Sequence, residues 1–375
     1  MRDPGEPTDL LRLRDPVTPY ANEASNEEIA ASAGIPLEQV IRFDLNTLGG
    51  GPLPAVRRAL AEFDPQRALE YGDPSYGPLR AAISAEIGVG PERIIPGAGA
   101  DELIRLVSTM AAGVGDRVVI PTPTFPMYAV EARLAGATTV EVPRAAVPER
   151  QPVAALRETA ETVGARLVWL CTPNNPTGDR YLTAEIHELA AGLPALVAVD
   201  AVYQEFAEAS LGLGPEALSL VALQDELPNV LILRSLAKSY GLAGARVGYL
   251  VVAAQLAARF DAARLPISVA TPSEAAARAA LAESAVARDR HRLIIGERDR
   301  LAAACRQRGW EVLDTLTNFT LVRPLDADGV AAGLAGIGLV VRSYPTGPLR
   351  EWLRITARAP EENDRLLAAL ATLSG

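Results

Sequence analysis

The chain has 375 residues, 49% hydrophobic and 22% charged, with 30 Gly and 29 Pro scattered through it, the composition of a folded α/β protein rather than a disordered one. A formal net charge of −10 leaves no broad basic surface for nucleic acid, and the two cysteines, Cys171 and Cys305, are too far apart in sequence for a CxxC zinc or disulfide pattern. No run reaches the roughly 18 apolar residues of a membrane span, and "MRDPGEPTDLLRLRDP" breaks its apolar stretches with charge where a signal peptide would not, so a reducing, cytoplasmic setting without membrane partners is expected.

Residues 1–43 read as an arm followed by a short helix, with Ser25 as N-cap and acids in the first turn. Residues 44–265 predict a large domain. Helical patterns such as "PLRAAISAEIG" and "DELIRLVSTMAAG" alternate there with Val/Ile/Leu runs: "RVVIP", "RLVWLCTP", "ALVAVDAVY", "NVLILRSLA" and "RVGYLVV". Apolar runs separated by helices imply a mostly parallel sheet covered on both faces. A Pro-punctuated linker near 264–272 leads into residues 266–375, a smaller α+β domain. This domain is expected to hold one long helix from about Ser273 to Gln307, a strand pair in "GWEVLDTLTNFTLVRP" and a closing helix in "EENDRLLAALATL". No internal repeat interrupts the pattern.

In open α/β sheets the working groups gather at the carboxyl ends of strands. "CTPNNPTGD", "DAVYQEF" and "SLAKSYG" each follow a predicted strand, and "GAGADE" opens a helix whose free N–H groups suit a phosphate. A GxGxxG unit is missing, which argues against a nicotinamide cofactor. Taken singly, Lys238 reads as a solvated side chain, Asp200 as a satisfied structural acid and Asn175 as a turn residue. Their convergence on one sheet edge argues for a site. Lys238 and Arg246 stand among small and apolar residues, where either charge is costly to bury unpaired. His187 and His291 lie in polar helical patterns and are expected to be solvated, and no metal site is suggested.

With "NNPTG", "DAVYQEF", "SLAKSYGLAGARVGY" and "LRITARAPEENDRLLAAL" in this order, the chain resembles the fold-type I pyridoxal-phosphate (PLP) aminotransferases, and within them the histidinol-phosphate aminotransferase subfamily. The likeness runs from "TPYANEASNEEIA" to the last helix. It implies an α/β fold of that type with a seven-stranded, mostly parallel sheet in the large domain. It also implies PLP as cofactor, a homodimer with shared active sites, and a role in amino-acid biosynthesis.

Residue by residue, the resemblance implies that Lys238 forms the Schiff base with PLP, and that Ser235, Arg246 and the helix start at Ala100 and Asp101 bind its phosphate. Asp200 would pair with the ring nitrogen, Asn175 and Tyr203 would bond the ring's phenolate oxygen, and Phe125 would stack on the ring. Tyr71 would reach the neighbouring subunit's cofactor phosphate. Arg354 would grip the substrate carboxylate with Asn318 in support, and Tyr20 and Arg342 match positions that contact a substrate phosphate. Where the subfamily has N-E-N-P, this chain reads "NTLG": Asn46 stays, while Thr47, Leu48 and Gly49 are expected to favour a less polar substrate.

The implied reaction is ping-pong transamination between a small amino donor, histidinol phosphate or a related or aromatic amino acid, and a 2-oxo acid, with the freed Lys238 amine as general base. A decarboxylase resembling threonine-phosphate decarboxylase shares the scaffold. A PLP-binding transcription regulator would need a DNA-binding module, for which residues 1–43 are too few and too acidic.

Overall fold

A computed structural model describes residues 24–147 and 149–373; Tyr20 and most of the arm lie outside the described residues. The helix Asn26–Ala33 begins with a reciprocal cap, Glu28 N–H donating to Ser25 Oγ at 3.1 Å and Ser25 N–H to the Glu28 carboxylate at 2.7 Å, and Gly34 ends it at φ 66°. A short strand follows, β1 (Ile41–Arg42).

Seven strands build the large sheet: β2 (Ile94–Gly97), β3 (Arg117–Thr122), β4 (Thr138–Pro143), β5 (Leu167–Cys171), β6 (Leu196–Asp200), β7 (Val230–Ser235) and β8 (Gly248–Val251). Their order is β2-β8-β7-β6-β5-β3-β4, parallel except for β8, which runs against both of its neighbours. The central strands are buried on both faces, so they read as continuous apolar runs. Val168 and Leu170 enter one core with helices Gly77–Ile87, Val153–Val163 and Thr183–Ala190. Leu167, Trp169 and Cys171 enter the opposite core with helices Ala100–Ala111, Met127–Leu134 and Ala254–Ala263. The sequence reading passes over β2 and β4 for local reasons. The first is four residues ending in Pro-Gly, and the second is a half-exposed edge strand whose Thr and Glu dilute the apolar signal.

The smaller unit adds β9 (Glu311–Leu313), β10 (Phe319–Arg323), β11 (Leu339–Val340), β12 (Arg342–Ser343) and β13 (Leu353–Thr356). Four of them form an antiparallel sheet in the order β12-β13-β10-β9, while β11 pairs in parallel with β1. Ile41 and Phe43 therefore sit in the smaller core although they precede the large sheet in sequence.

The single long helix expected over 273–307 is two, Thr271–Ala282 and Ser284–Gln307, broken at Glu283. The first packs on the large core through Ala276, Ala277, Ala280 and Leu281. The second starts there at Ala287 and ends in the smaller core with Ile294, Ile295, Leu301 and Cys305. The passage from one core to the other therefore falls within the second helix, after Ala287.

The two histidines differ. His187 is half-exposed and lies 3.5 Å from Glu226, but His291, expected to be solvated, is 2% exposed. Its helix crosses between the two cores, so a face that reads as polar in sequence is covered. Among the described residues no helix is long and apolar enough to cross a membrane.

Candidate active site

The parallel strands β3, β5, β6 and β7 deliver Phe125, Asn175, Asp200 and Lys238 to one sheet edge. There they border a cavity of about 500 Å³. Of the residues expected from sequence, Asn46, Ala100, Asp101, Phe125, Asn175, Asp200, Tyr203, Ser235, Lys238, Arg246 and Arg354 line it. Tyr71 does not; it stands 93% exposed on the surface.

Lys238 is the one lysine in the sequence, every other member of the 36 Lys and Arg being arginine. It occupies a four-residue helix, Leu236–Ser239, entered through Ser235, whose Oγ accepts the Ala237 N–H at 3.2 Å. Its Nζ donates to the Leu45 carbonyl at 2.8 Å.

Beside it, Gly99 at φ 85° opens helix Ala100–Ala111 without a side-chain cap, leaving first-turn N–H groups available. Two glycines are closely packed here. A Cβ on Gly99 would lie 2.6 Å from Arg246 Nη2, and one on Gly248 would lie 3.0 Å from the Gly99 carbonyl carbon. Arg246 takes the left-handed conformation (φ 54°) and donates to Asp101 Oδ2 at 2.6 Å. A hydroxyl, a guanidinium and a helix N-terminus at one end of the cavity suit a dianionic phosphate.

At the other end lies Asp200, 3% exposed. Burial pushes its carboxyl up to about 7, against hydrogen bonds that favour the charged form: Tyr128 O–H to Oδ2 at 2.6 Å and Val202 N–H to Oδ1 at 3.1 Å. A buried carboxylate of this kind suits a protonated ring nitrogen. The donor set thus fits PLP: phosphate donors at one end, an acid at the other, room between, and a lysine alongside.

Tyr128 escapes the sequence reading. It stacks on Trp169 with ring centroids 4.7 Å apart and reaches an acid 72 positions away, a pairing that no local spacing encodes.

The substrate side is organised by Arg354 of β13, 8% exposed. Its Nη1 donates to Asn175 Oδ1 at 2.6 Å, Nη2 donates to the Asp44 carbonyl, and its Cζ lies 5.3 Å from the Phe319 ring centroid. The buried Nε has no hydrogen-bond partner among the described residues. Asn175, expected beside the ring oxygen, is here Arg354's acceptor.

Asn46, left-handed at φ 55°, donates to Tyr203 Oη at 2.7 Å. It is itself held by Thr356 Oγ1 and by Asn318 Nδ2, each at 3.1 Å. The chain leaves the cavity at Asn46, so Thr47, Leu48 and Gly49 of "NTLG" do not line it. Leu48 packs against the smaller core and Thr47 Oγ1 accepts from Arg358 at 3.1 Å. A Cβ on Gly49 would fall 1.7 Å from Glu362 Oε2 and 2.7 Å from the Ala359 nitrogen, so this segment packs closely on the start of the last helix.

Arg342 lies in an adjoining cavity of about 250 Å³ that shares Phe125, Asn175 and Arg354 with the first. In the β12–β13 ladder Arg342 and Arg354 are direct cross-strand partners. Among the described residues no group of three or more His, Cys, Asp or Glu is placed to hold a metal.

The sequence pattern of the family described as aminotransferase class I and II matches residues 38–370. A histidinol-phosphate aminotransferase of Roseiflexus castenholzii is 36% identical over 366 residues, 94% of each chain. One of Stenotrophomonas maltophilia is 38% identical over 311 residues, covering 80% of this chain and 83% of that one. In three dimensions the chain is similar to the crystal structure of histidinol-phosphate aminotransferase from Sinorhizobium meliloti in complex with pyridoxal-5'-phosphate, with a TM-score of 0.84, 28% identity, and coverage of 93% of this chain and 94% of that one.

Proposed function

The chain belongs to the class I and II aminotransferases, PLP-dependent enzymes, and from that premise we propose that it moves the amino group of histidinol phosphate to a 2-oxo acid. One observation favours a substrate that carries an anion: Arg342 and Arg354 are direct partners across an antiparallel ladder. Like charges directly opposite are unfavourable, and that cost would be offset by an anion bound by both side chains. A phosphate dianion on the donor, or a carboxylate on the oxo acid, supplies it, and the planar forks of two arginines match several oxygens at once. The named activity of the relatives at 36% and 38% identity supports the same donor.

Bound in the cavity, PLP supplies a ring that accepts the electron pair left when the donor's Cα–H bond breaks. The remaining work falls to the chain. Of the residues lining the cavity, Asp200 would keep a proton at the ring nitrogen; Ser235, Arg246 and the N–H groups at Ala100 and Asp101 would hold the phosphate; Phe125 would cover a ring face. Tyr203 and Asn175, both lining the cavity, would bond the ring oxygen, Asn175 through the amide nitrogen that its contact to Arg354 leaves available, and Lys238 Nζ would take the Cα proton as general base.

Arg342→Ala is expected to lower kcat/KM for histidinol phosphate by about 30-fold or more, the scale set by leaving a desolvated charge unpaired. An aromatic amino acid should lose only about threefold, since it brings no phosphate. Leu48→Asn should change neither, because Leu48 does not line the cavity. Single-turnover spectra against a donor panel read all three. A best donor indifferent to Arg342→Ala removes the phosphate-bearing substrate from consideration.

The assembly we infer is a homodimer in which Tyr71 serves the partner's site, which gives a reason for a tyrosine 93% exposed on the isolated chain. Mixed dimers of Lys238→Ala with Tyr71→Phe then contain one site free of both lesions and should exceed either parent in activity. Activity no higher than the better parent counts against sharing.

A further inference from the structure

We infer that His291 is a positioning residue for Lys238, holding the lysine's helix to the long helix that joins the two units. The inference rests on the reading of Lys238 given above. Helix Ser284–Gln307 begins in the large core and ends in the smaller one, and His291 lies between those ends. Its Nε2 is 2.7 Å from the carbonyl oxygen of Ser239, the residue after Lys238.

A carbonyl only accepts, so Nε2 carries the proton. The final carbonyls of a helix lack intrahelical partners, and Leu236–Ser239 is four residues long with Ser239 fully buried, out of reach of bulk water. The imidazole thus acts as a C-terminal cap delivered from another element.

The ring is also fixed. Phe206 meets it edge-on at 5.1 Å and Tyr240 at 6.4 Å. Phe206 lies on the helix Gln204–Ser210 that follows Asp200 and Tyr203, so one buried ring touches the segments carrying several cofactor-side groups. Burial pushes the His291 pKa below the ordinary imidazole value. Glu205 and the Ser239 carbonyl oppose that shift, while Arg288 and Arg290 on its own helix reinforce it. Glu86 and Arg234 line the same small cavity. The neutral Nε2–H form is therefore the one that caps. Lys238 is held from two directions, its backbone by His291 and its amine by Leu45, which adjoins residues of the smaller unit.

With only two histidines in the chain, ring-nitrogen NMR on the full-length PLP-loaded enzyme reads the tautomer without mutation. The buried ring must show its proton on Nε2. In kinetics, His291→Leu is expected to lower kcat about tenfold with donor KM unchanged, the effect of a slightly misplaced base. It should also shift the pH midpoint of the bound cofactor's absorption band. His291→Gln, whose amide nitrogen can stand at the Nε2 position, should restore both to within about twofold.

A proton on Nδ1 overturns the inference. So does a His291→Leu enzyme with wild-type kcat and midpoint and only a lower Tm. Should His291→Leu not fold, the tautomer and His291→Gln decide: wild-type behaviour with Nε2–H supports positioning, and loss of kcat in the glutamine variant refutes it. An active Lys238→Ala enzyme would instead defeat the assignment of Lys238, whichever nitrogen carries the His291 proton.

Discussion

Lys238→Ala is expected to abolish transamination, lowering kcat by at least about 10³-fold, because it removes the group proposed as general base and as the covalent holder of the cofactor. Lys238→Arg should be as inactive. A guanidinium keeps the charge but does not deprotonate in a protein, and the chain uses arginine at every other strongly basic position. The comparison therefore separates charge from nucleophilicity. Because no other side chain carries an ε-amine, borohydride reduction of the PLP-loaded protein should attach one pyridoxyl group to Lys238. A lysine-specific protease, which has one site in the untreated chain, should then fail to cut. Reduced wild-type protein that is still cut, or an active arginine variant, contradicts the assignment.

Much of this site was legible in the sequence, for a physical reason. The parallel strands are buried on both faces, so each announces itself as an apolar run, and the polar residues just past each run must lie at the sheet's carboxyl edge. Asn175, Asp200, Ser235 and Lys238 are picked out in that way and line one cavity, while their roles come from the aminotransferase resemblance. The residues that escaped act across long sequence separations. Tyr128 bonds an acid 72 positions away, and Thr356 bonds Asn46 from 310 positions away. His291 was misread because helical periodicity reports one buried face, whereas its helix passes between two cores. Leu48 was assigned to the substrate mouth by analogy of position, but the left-handed turn at Asn46 sends the following residues to the smaller unit.

The second large effect is expected at Asp200. Asp200→Asn should lower kcat by about 10²–10³-fold, the usual loss when a preorganised charge facing the reaction is removed. It should also leave a thermodynamic signature in cofactor-free protein. Burial raises the folded-state value from an ordinary 3.8 to about 7, so the folded chain keeps this proton at pH values where the unfolded chain has lost it. The contribution to stability is then fully present below about pH 4 and is lost as pH rises through about 7, a span worth about 4 kcal/mol at most. Asparagine does not titrate, and every other carboxylate is common to both proteins. Wild type minus Asp200→Asn in denaturant unfolding should thus fall by up to that amount between pH 4 and 8. With PLP bound, a cationic ring nitrogen beside the carboxylate favours its ionised form, and the slope should flatten or reverse. Tyr128→Phe removes one of the two hydrogen bonds to the charged form, so the acid limb of the kcat profile should move upward by about one pH unit. If Asp200→Asn keeps wild-type turnover and the apo difference is flat with pH, the buried carboxyl is a structural acid and the partner of the ring nitrogen lies elsewhere.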